Sequence, residues 1–166
     1  LDQRGIYMLG REILPKFNHK KPILIFNPLL IGLNGGKMSG SIPSSKINLL
    51  DTEKEVNQKI VNAFCPAKEK KDNAILRFIE LVIMPSQILK QKPFVLERPE
   101  KYGGNILFDN YETLEKEFLA GNIHPQDLKN STAKHLNEIL EPIRKRFENK
   151  KDLIEKAYPS DWYVRH

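Results

Sequence analysis

Cysteine is almost absent: Cys65 is the single one in 166 residues. One thiol can form neither an intrachain disulfide nor a cysteine-rich zinc site, which fits a reducing compartment and leaves Cys65 as a small apolar residue. Long apolar runs are lacking too. None approaches the roughly 20 residues that a membrane-spanning helix requires, and the opening Leu1-Asp2-Gln3-Arg4 has none of the layout of a signal peptide. His19, His135 and His166 have no partners at metal-ligand spacing, so they read as surface histidines and no metal site is expected. No internal repeat or low-complexity tract is present. A Walker P-loop is excluded as well, because Gly32 stands only five positions before Lys37 and Met38 occupies the place of the required Ser or Thr.

What is there is enough for a core. With 40% hydrophobic residues, the chain suits one domain or one and a half. The 27 basic residues outnumber the 21 acidic ones, giving +6. A pI near 9.3 suits a polyanionic partner without requiring one.

Along the chain, Ile6, Leu9, Ile13 and Leu14 recur at helical spacing until Pro15. Ile23 to Phe26 is a continuous apolar run after Lys20-Lys21-Pro22, the pattern of a strand buried on both faces of a parallel sheet. Thr52 and Glu55 form a capping box ahead of a helix whose inner face is expected to hold Val56, Ile60, Val61 and Phe64. The charged run from Lys68 to Asp72 marks a surface connection, after which Ile75, Phe78, Ile79 and Val82 outline an apolar helix. Phe94 to Glu97 and Ile106 to Phe108 read as short extended pieces flanking a turn-rich loop with Tyr102. A helix is expected from Glu112 to Ala120. A longer one starts near Pro125, buries Leu128, Leu136, Ile139 and Leu140, and is kinked or ended by Pro142. The composition shift puts a domain boundary near residues 50 to 55. Trp162-Tyr163 reads as a packing anchor for the terminal segment.

Between the apolar run and the capping box lies Gly35-Gly36-Lys37-Met38-Ser39-Gly40-Ser41. A lysine on a mobile, glycine-flanked loop suits phosphoryl or nucleotidyl transfer, because its ammonium can meet charge developing on a polyphosphate. Taken alone, the segment suits a solvated turn equally well, since Asn34-Gly35-Gly36 is ordinary turn chemistry.

This loop is one residue away from a class I aminoacyl-tRNA synthetase signature. Together with Asp2-Gln3-Arg4, Asn27-Pro28, Gly32-Leu33, Phe64-Cys65-Pro66, Arg98-Pro99-Glu100-Lys101-Tyr102-Gly103-Gly104, the run from His124 to Asn130 and Leu140-Glu141-Pro142-Ile143-Arg144, it resembles the tyrosyl-tRNA synthetases of the archaeal and eukaryotic type. The likeness extends to about residue 160. It implies an α/β part followed by a mainly α part: residues 1–52 as the end of a Rossmann-type, parallel-sheet catalytic domain, and 53–166 as a helical anticodon-binding domain. The family's His-x-Gly-His-like motif is not in the sequence, so the chain is expected to be the later part of a longer protein and inactive by itself.

The resemblance also implies chemistry and partners. Tyrosine would attack the α-phosphorus of ATP, with Mg2+ accompanying the nucleotide, and the tyrosyl group would pass to tRNA(Tyr) in a cytoplasmic homodimer. Lys37 matches the lysine that steadies the β and γ phosphates, with Met38, Ser39, Gly40 and Ser41 shaping its loop; Gly40 departs from the Lys or Ser usual there. Gln3 matches a glutamine of the tyrosine pocket, and it reads equally as a helix-entry residue. Tyr102 matches an aromatic that stacks on the first anticodon base, while His124 and Asp127 match residues that bracket and read it, and Lys129 would meet a phosphate. An ionised Asp accepts only, which favours guanine, whose pairing edge offers two N–H donors. Without the likeness, His124-Pro125 is also an ordinary helix start, Asp127 a favourable charge at a helix N-terminus and Tyr102 a loop-packing ring. The tryptophan enzyme of the same fold, or a non-catalytic RNA-binding module derived from a synthetase, are the alternatives.

Overall fold

The computed structural model describes residues 3–39 and 42–157. Trp162-Tyr163, His166, Gly40 and Ser41 lie outside the described residues. The described elements are mostly helical. Helix α1 (Arg4–Ile13) leads into a 3-10 turn, Leu14–Phe17. Then come α2 (Glu53–Val61), α3 (Ala74–Phe78), a π-helical turn (Ile79–Ile83) and α4 (Met84–Leu89). Strands β1 (Phe94–Leu96) and β2 (Ile106–Phe108) pair antiparallel, with Phe94 opposite Phe108 and Leu96 opposite Ile106. Helices α5 (Tyr111–Ala120), α6 (Pro125–Phe147) and α7 (Lys151–Ala157) complete the order.

The local chemistry explains most of these boundaries. The capping box forms as expected, the Thr52 hydroxyl accepting from the Glu55 N–H while the Glu55 carboxylate accepts from the Thr52 N–H. Asn73 and Asn110 cap α3 and α5 through side-chain oxygens that accept from the Leu76 and Thr113 N–H groups. The π-helical turn has a cause in Pro85, which has no N–H and whose ring would crowd the carbonyl four residues earlier. Widening the turn relieves both, and the Met84 N–H donates to Ile79 O, five residues back.

The core runs through every helix from α2 to α6. Val56 and Ile60 of α2, Ile75, Leu76, Phe78, Ile79 and Ile83, the strand residues Phe94, Leu96 and Phe108, Leu114 and Phe118 of α5, and Leu128, Leu136 and Leu140 of α6 are all buried. Leu33, from the hairpin that precedes Lys37, is buried in the same cluster.

Several expectations need correction. Residues 23–26 form no strand: Ile23 is 89% and Ile25 84% exposed. Among the described residues the only sheet is the β1–β2 pair, so nothing alongside this run accepts or donates the ladder hydrogen bonds that would fix it as a strand. The apolar residues of α1 are likewise not buried; the Tyr7 ring lies against Phe26, and the Arg11 guanidinium donates to the Pro22 carbonyl. In α2 the inward line is Val56 and Ile60; Val61 is rotated off it, and Phe64 falls beyond the helix end, where the buried residue is Ala63. Pro142 does not end α6, which continues to Phe147. Glu138, whose carbonyl loses its partner to Pro142, is exposed, so water can take that place.

His135 is not a surface histidine. It is buried beneath β1, ring to ring with Phe94 at 4.6 Å. Its Nδ1 lies 2.8 Å from the Gln87 amide nitrogen, and its Nε2 lies 3.2 Å from both the carbonyl oxygen and the N–H nitrogen of Val95; a neutral ring protonated at Nε2 accepts from Gln87 and donates to the Val95 carbonyl, whereas the other tautomer accepts from the Val95 N–H. Burial holds its pKa below the ordinary histidine value, against the opposing pull of the Val95 hydrogen bond and the Glu138 carboxylate.

One polar node joins α6 to the start of α2. The Asp51 carboxylate is buried, accepting from Lys59 Nζ at 2.5 Å and from the Asn48 N–H at 2.8 Å. Arg144 of α6 donates through Nε to the Asp51 carbonyl and through a terminal nitrogen to Asn137 Oδ1, both at 2.7 Å. Burial alone would push the Asp51 carboxyl up; the bonds from Lys59 and Asn48 outweigh it and hold the pKa below the ordinary value. Because the folded value is the lower one, this contribution is complete above about pH 4, the unfolded value, and is lost as pH falls through the folded one. Asp51→Ala is therefore expected to cost on the order of 3 kcal/mol at pH 7, since it strands Lys59. Urea denaturation should show this penalty and a flatter acid limb below pH 4 in the variant.

Candidate functional site

Two places gather the residues that sequence reading singled out. The first is the lysine hairpin. Ile31 bridges antiparallel to Lys37, the Gly32 N–H donates to Gly36 O at 2.9 Å and the Gly35 N–H to Gly32 O at 3.0 Å. Gly35 and Gly36 take φ of +77° and +81°, which L side chains rarely adopt, and a Cβ on Gly35 would also meet the Phe64 ring at 3.2 Å. The hairpin thus turns too tightly for other residues at these points.

Behind it, buried Ser45 clasps the chain. Its Oγ accepts from the Ser39 N–H at 3.2 Å and lies 2.8 Å from Ile42 O and 3.0 Å from Ser39 O, one of which takes its proton. Met38 packs against the core, whereas Lys37 is exposed and its side chain has no hydrogen bond or ion pair among the described residues. The arrangement presents one ammonium on a tight turn whose neighbours are anchored. Gln3 is exposed at the N-cap of α1, its side chain making no capping bond.

The second place is a groove of about 650 Å³ between the β1–β2 loop, the start of α6 and the connection before α3. Tyr102, His124 and Asp127 line it together, with Lys68, Arg98 and Asn122 among their neighbours. Tyr102 is 61% exposed on a 3-10 turn, with the Lys101 ammonium 4.8 Å from its ring centre. His124 is the N-cap of α6: its Nδ1 accepts from the Gln126 N–H at 3.1 Å, which leaves Nε2 as the available donor of a neutral ring. Asp127 sits in the first turn of the same helix, where the macrodipole favours a negative charge. An aromatic face, an N–H donor and a carboxylate acceptor converge on one open space, the set needed to stack a planar ring and pair with its edge.

Lys129 does not belong to this set. Its ammonium donates to the Val61 carbonyl at 2.8 Å and the residue is not part of the groove lining. Sequence reading missed Lys68 and Arg98, both of which line it. Arg98 stood inside a quoted motif, but Lys68 was absorbed into a charged run that carried no sign of what it faces. Among the described residues no group of three His, Cys, Asp or Glu side chains is placed to hold a metal ion, and no helix is long and apolar enough to cross a membrane.

Residues 1–141 match the family model for tRNA synthetases class I (W and Y). The tyrosine–tRNA ligase of Haloarcula marismortui is 44% identical over 162 residues, covering 98% of this chain and 47% of that protein. The crystal structure of the tyrosyl-tRNA synthetase of Archaeoglobus fulgidus, complexed with L-tyrosine, superposes with a TM-score of 0.78 at 41% identity, covering 87% of this chain and 44% of that one. A tryptophanyl-tRNA synthetase from Giardia lamblia is more distant, with a TM-score of 0.63 at 21% identity over 93% of this chain and 36% of that one, a likeness of fold alone. The chain spans about half the length of the curated relatives it matches.

The Ser45 clasp gives a test of the hairpin's construction. Ser45→Ala removes a buried hydroxyl that bonds both the Ser39 N–H and a carbonyl of the 39–42 segment, and should cost about 1–3 kcal/mol. Hydrogen exchange should show protection lost first at Ser39 and its neighbours, with the α2–α6 core unaffected.

Proposed function

We propose, since the chain belongs to the class I tRNA synthetases (W and Y), that it serves a tyrosine–tRNA ligase, which activates tyrosine with ATP and transfers it to tRNA(Tyr). The observation that carries this reading is the convergence of Tyr102, His124 and Asp127 on one groove, residues far apart in sequence whose chemistry suits a splayed nucleobase.

In this reading residues 1–52 contribute to a Rossmann-type catalytic domain and residues 53–166 form the anticodon-binding domain. Lys37 steadies the β and γ phosphates of ATP, which arrives as its Mg2+ complex, while charge shifts onto the departing pyrophosphate. Met38, Ser39, Gly40 and Ser41 shape the loop, and Gly40 leaves it one cation short of a lysine-bearing version. Gln3 turns its amide toward the amino group of tyrosine, accepting through the carbonyl oxygen.

At the groove, the first anticodon base stacks on Tyr102 and His124 closes over it. Asp127 accepts from two N–H groups of guanine, a pattern no other base offers in that register. Lys129 keeps two N–H donors, beyond the one given to Val61, for a phosphate outside the groove. A homodimer in the cytoplasm completes the reading, the lone cysteine being in keeping with a reducing compartment.

Asp127→Ala in the full-length enzyme carrying this sequence should raise the Kd for tRNA(Tyr) or lower charging by about 10- to 100-fold, the loss of a bidentate base contact, with tyrosine activation unchanged. Equal loss in both steps would contradict the assignment.

A further inference from the structure

The groove around Tyr102 holds two cationic side chains from outside the quoted His124-to-Asn130 segment, Arg98 and Lys68, and they differ in what remains of their hydrogen-bonding capacity. Arg98 is tied to the protein at the Nε of its guanidinium, while its Nη2 makes no hydrogen bond among the described residues. Its Nε donates to Gly104 O at 2.8 Å, its backbone N–H to Asn105 Oδ1 at 3.2 Å, and a terminal nitrogen reaches toward Asn122 O at 3.5 Å. The guanidinium fills the space above Gly103, where a Cβ would lie 2.9 Å from Nη2. Arg98 thus braces the loop that carries Tyr102.

Lys68 is not committed. Among the described residues its ammonium has neither hydrogen bond nor ion pair, although Asp127 lines the same groove. Its side chain lies across Gly121, the left-handed C-cap of α5; a Cβ there would sit 2.2 Å from Lys68 Cε and 2.8 Å from Nζ. The absence of a side chain at Gly121 therefore gives the lysine a bed along the groove floor. The backbone of Lys68 is itself unusual, with φ of +59°, a conformation that glycine or asparagine adopts at less cost. A lysine at a position where the backbone favours glycine or asparagine, lying over a glycine and unpaired in the groove that Tyr102 also lines, is placed for an anion that the described residues do not supply.

We propose that Lys68 is the phosphate-binding residue of this groove, contacting the RNA backbone beside the base that stacks on Tyr102. The inference rests on the anticodon reading of the groove and adds the group that sets the strand's register there. Its contact is with phosphate, so it carries no base preference, in contrast to Asp127.

The test is equilibrium binding of tRNA(Tyr) transcripts, with G or A at the first anticodon position, to the full-length enzyme across a salt series. Wild type, Lys68→Met, Lys68→Arg and Asp127→Ala are compared. Lys68→Met should weaken both transcripts by the same factor and reduce the slope of log Kd against log salt by about 0.7 to 0.9, the loss of one phosphate contact. Lys68→Arg should restore the slope, and Asp127→Ala should lose the preference between transcripts with its slope unchanged. If wild type prefers G and Lys68→Met leaves affinity and slope as they were, the lysine meets no phosphate and the proposal fails while the groove reading stands. If wild type does not distinguish the transcripts, the groove reading itself fails and takes this proposal with it.

Discussion

The burial of Leu33 is the constraint on which the arrangement depends. This residue belongs to the lysine hairpin, yet its side chain lies fully within the core built by α2 to α6. Its backbone is held on both sides: the N–H donates to Ser45 O at 2.9 Å, and the carbonyl accepts from the Phe64 N–H at 2.6 Å. Burying one leucine contributes about 2 kcal/mol, modest in total but concentrated where the hairpin meets the helices. A loop that exposes Lys37 is thereby referenced to a rigid body, and its two left-handed glycines turn the chain without disturbing that anchor.

The second tie is polar and runs through α6. This 23-residue helix places His124 and Asp127 at its first turn and Arg144 near its far end. There Arg144 grips the Asp51 carbonyl, just upstream of α2, while Asn137 donates to Asn57 Oδ1 at 2.9 Å. A helix of this length is a stiff rod of about 35 Å. The groove at one end and the Asp51 node at the other are therefore parts of a single element. Hydrophobic packing supplies most of the attachment between α2 and α6, and the bonds from Arg144 to the Asp51 carbonyl and from Asn137 to Asn57 fix its register, while the Asp51–Lys59 ion pair holds the segment before α2 against that helix.

Much of the helical portion was legible because its signals are local. The Thr52–Glu55 capping box, the apolar period of Ile75, Phe78 and Ile79, and the Pro125 start of α6 each depend on residues within a few positions. The extended pieces around Tyr102 were legible for the same reason. The run at 23–26 was misread because an apolar segment shows only that it avoids water; whether it becomes a strand depends on neighbours that pattern does not specify. His135 was misread because its partners, Gln87 and Val95, are 48 and 40 residues away. Of the candidate site, Tyr102, His124 and Asp127 were singled out through family likeness, and they line one groove, a convergence that spacing alone left open. Lys68 was not, because what distinguishes it is a glycine 53 positions later in the chain, at Gly121.

The central claim is that this sequence serves tyrosine activation through the lysine hairpin, and ATP–pyrophosphate exchange tests it most directly. The full-length enzyme is assayed with tyrosine and with tryptophan, beside its Lys37→Ala variant. The account predicts exchange that depends on tyrosine, is absent with tryptophan and collapses in the variant while the protein stays folded. Exchange with tryptophan, or no exchange with either amino acid from folded protein, would contradict it.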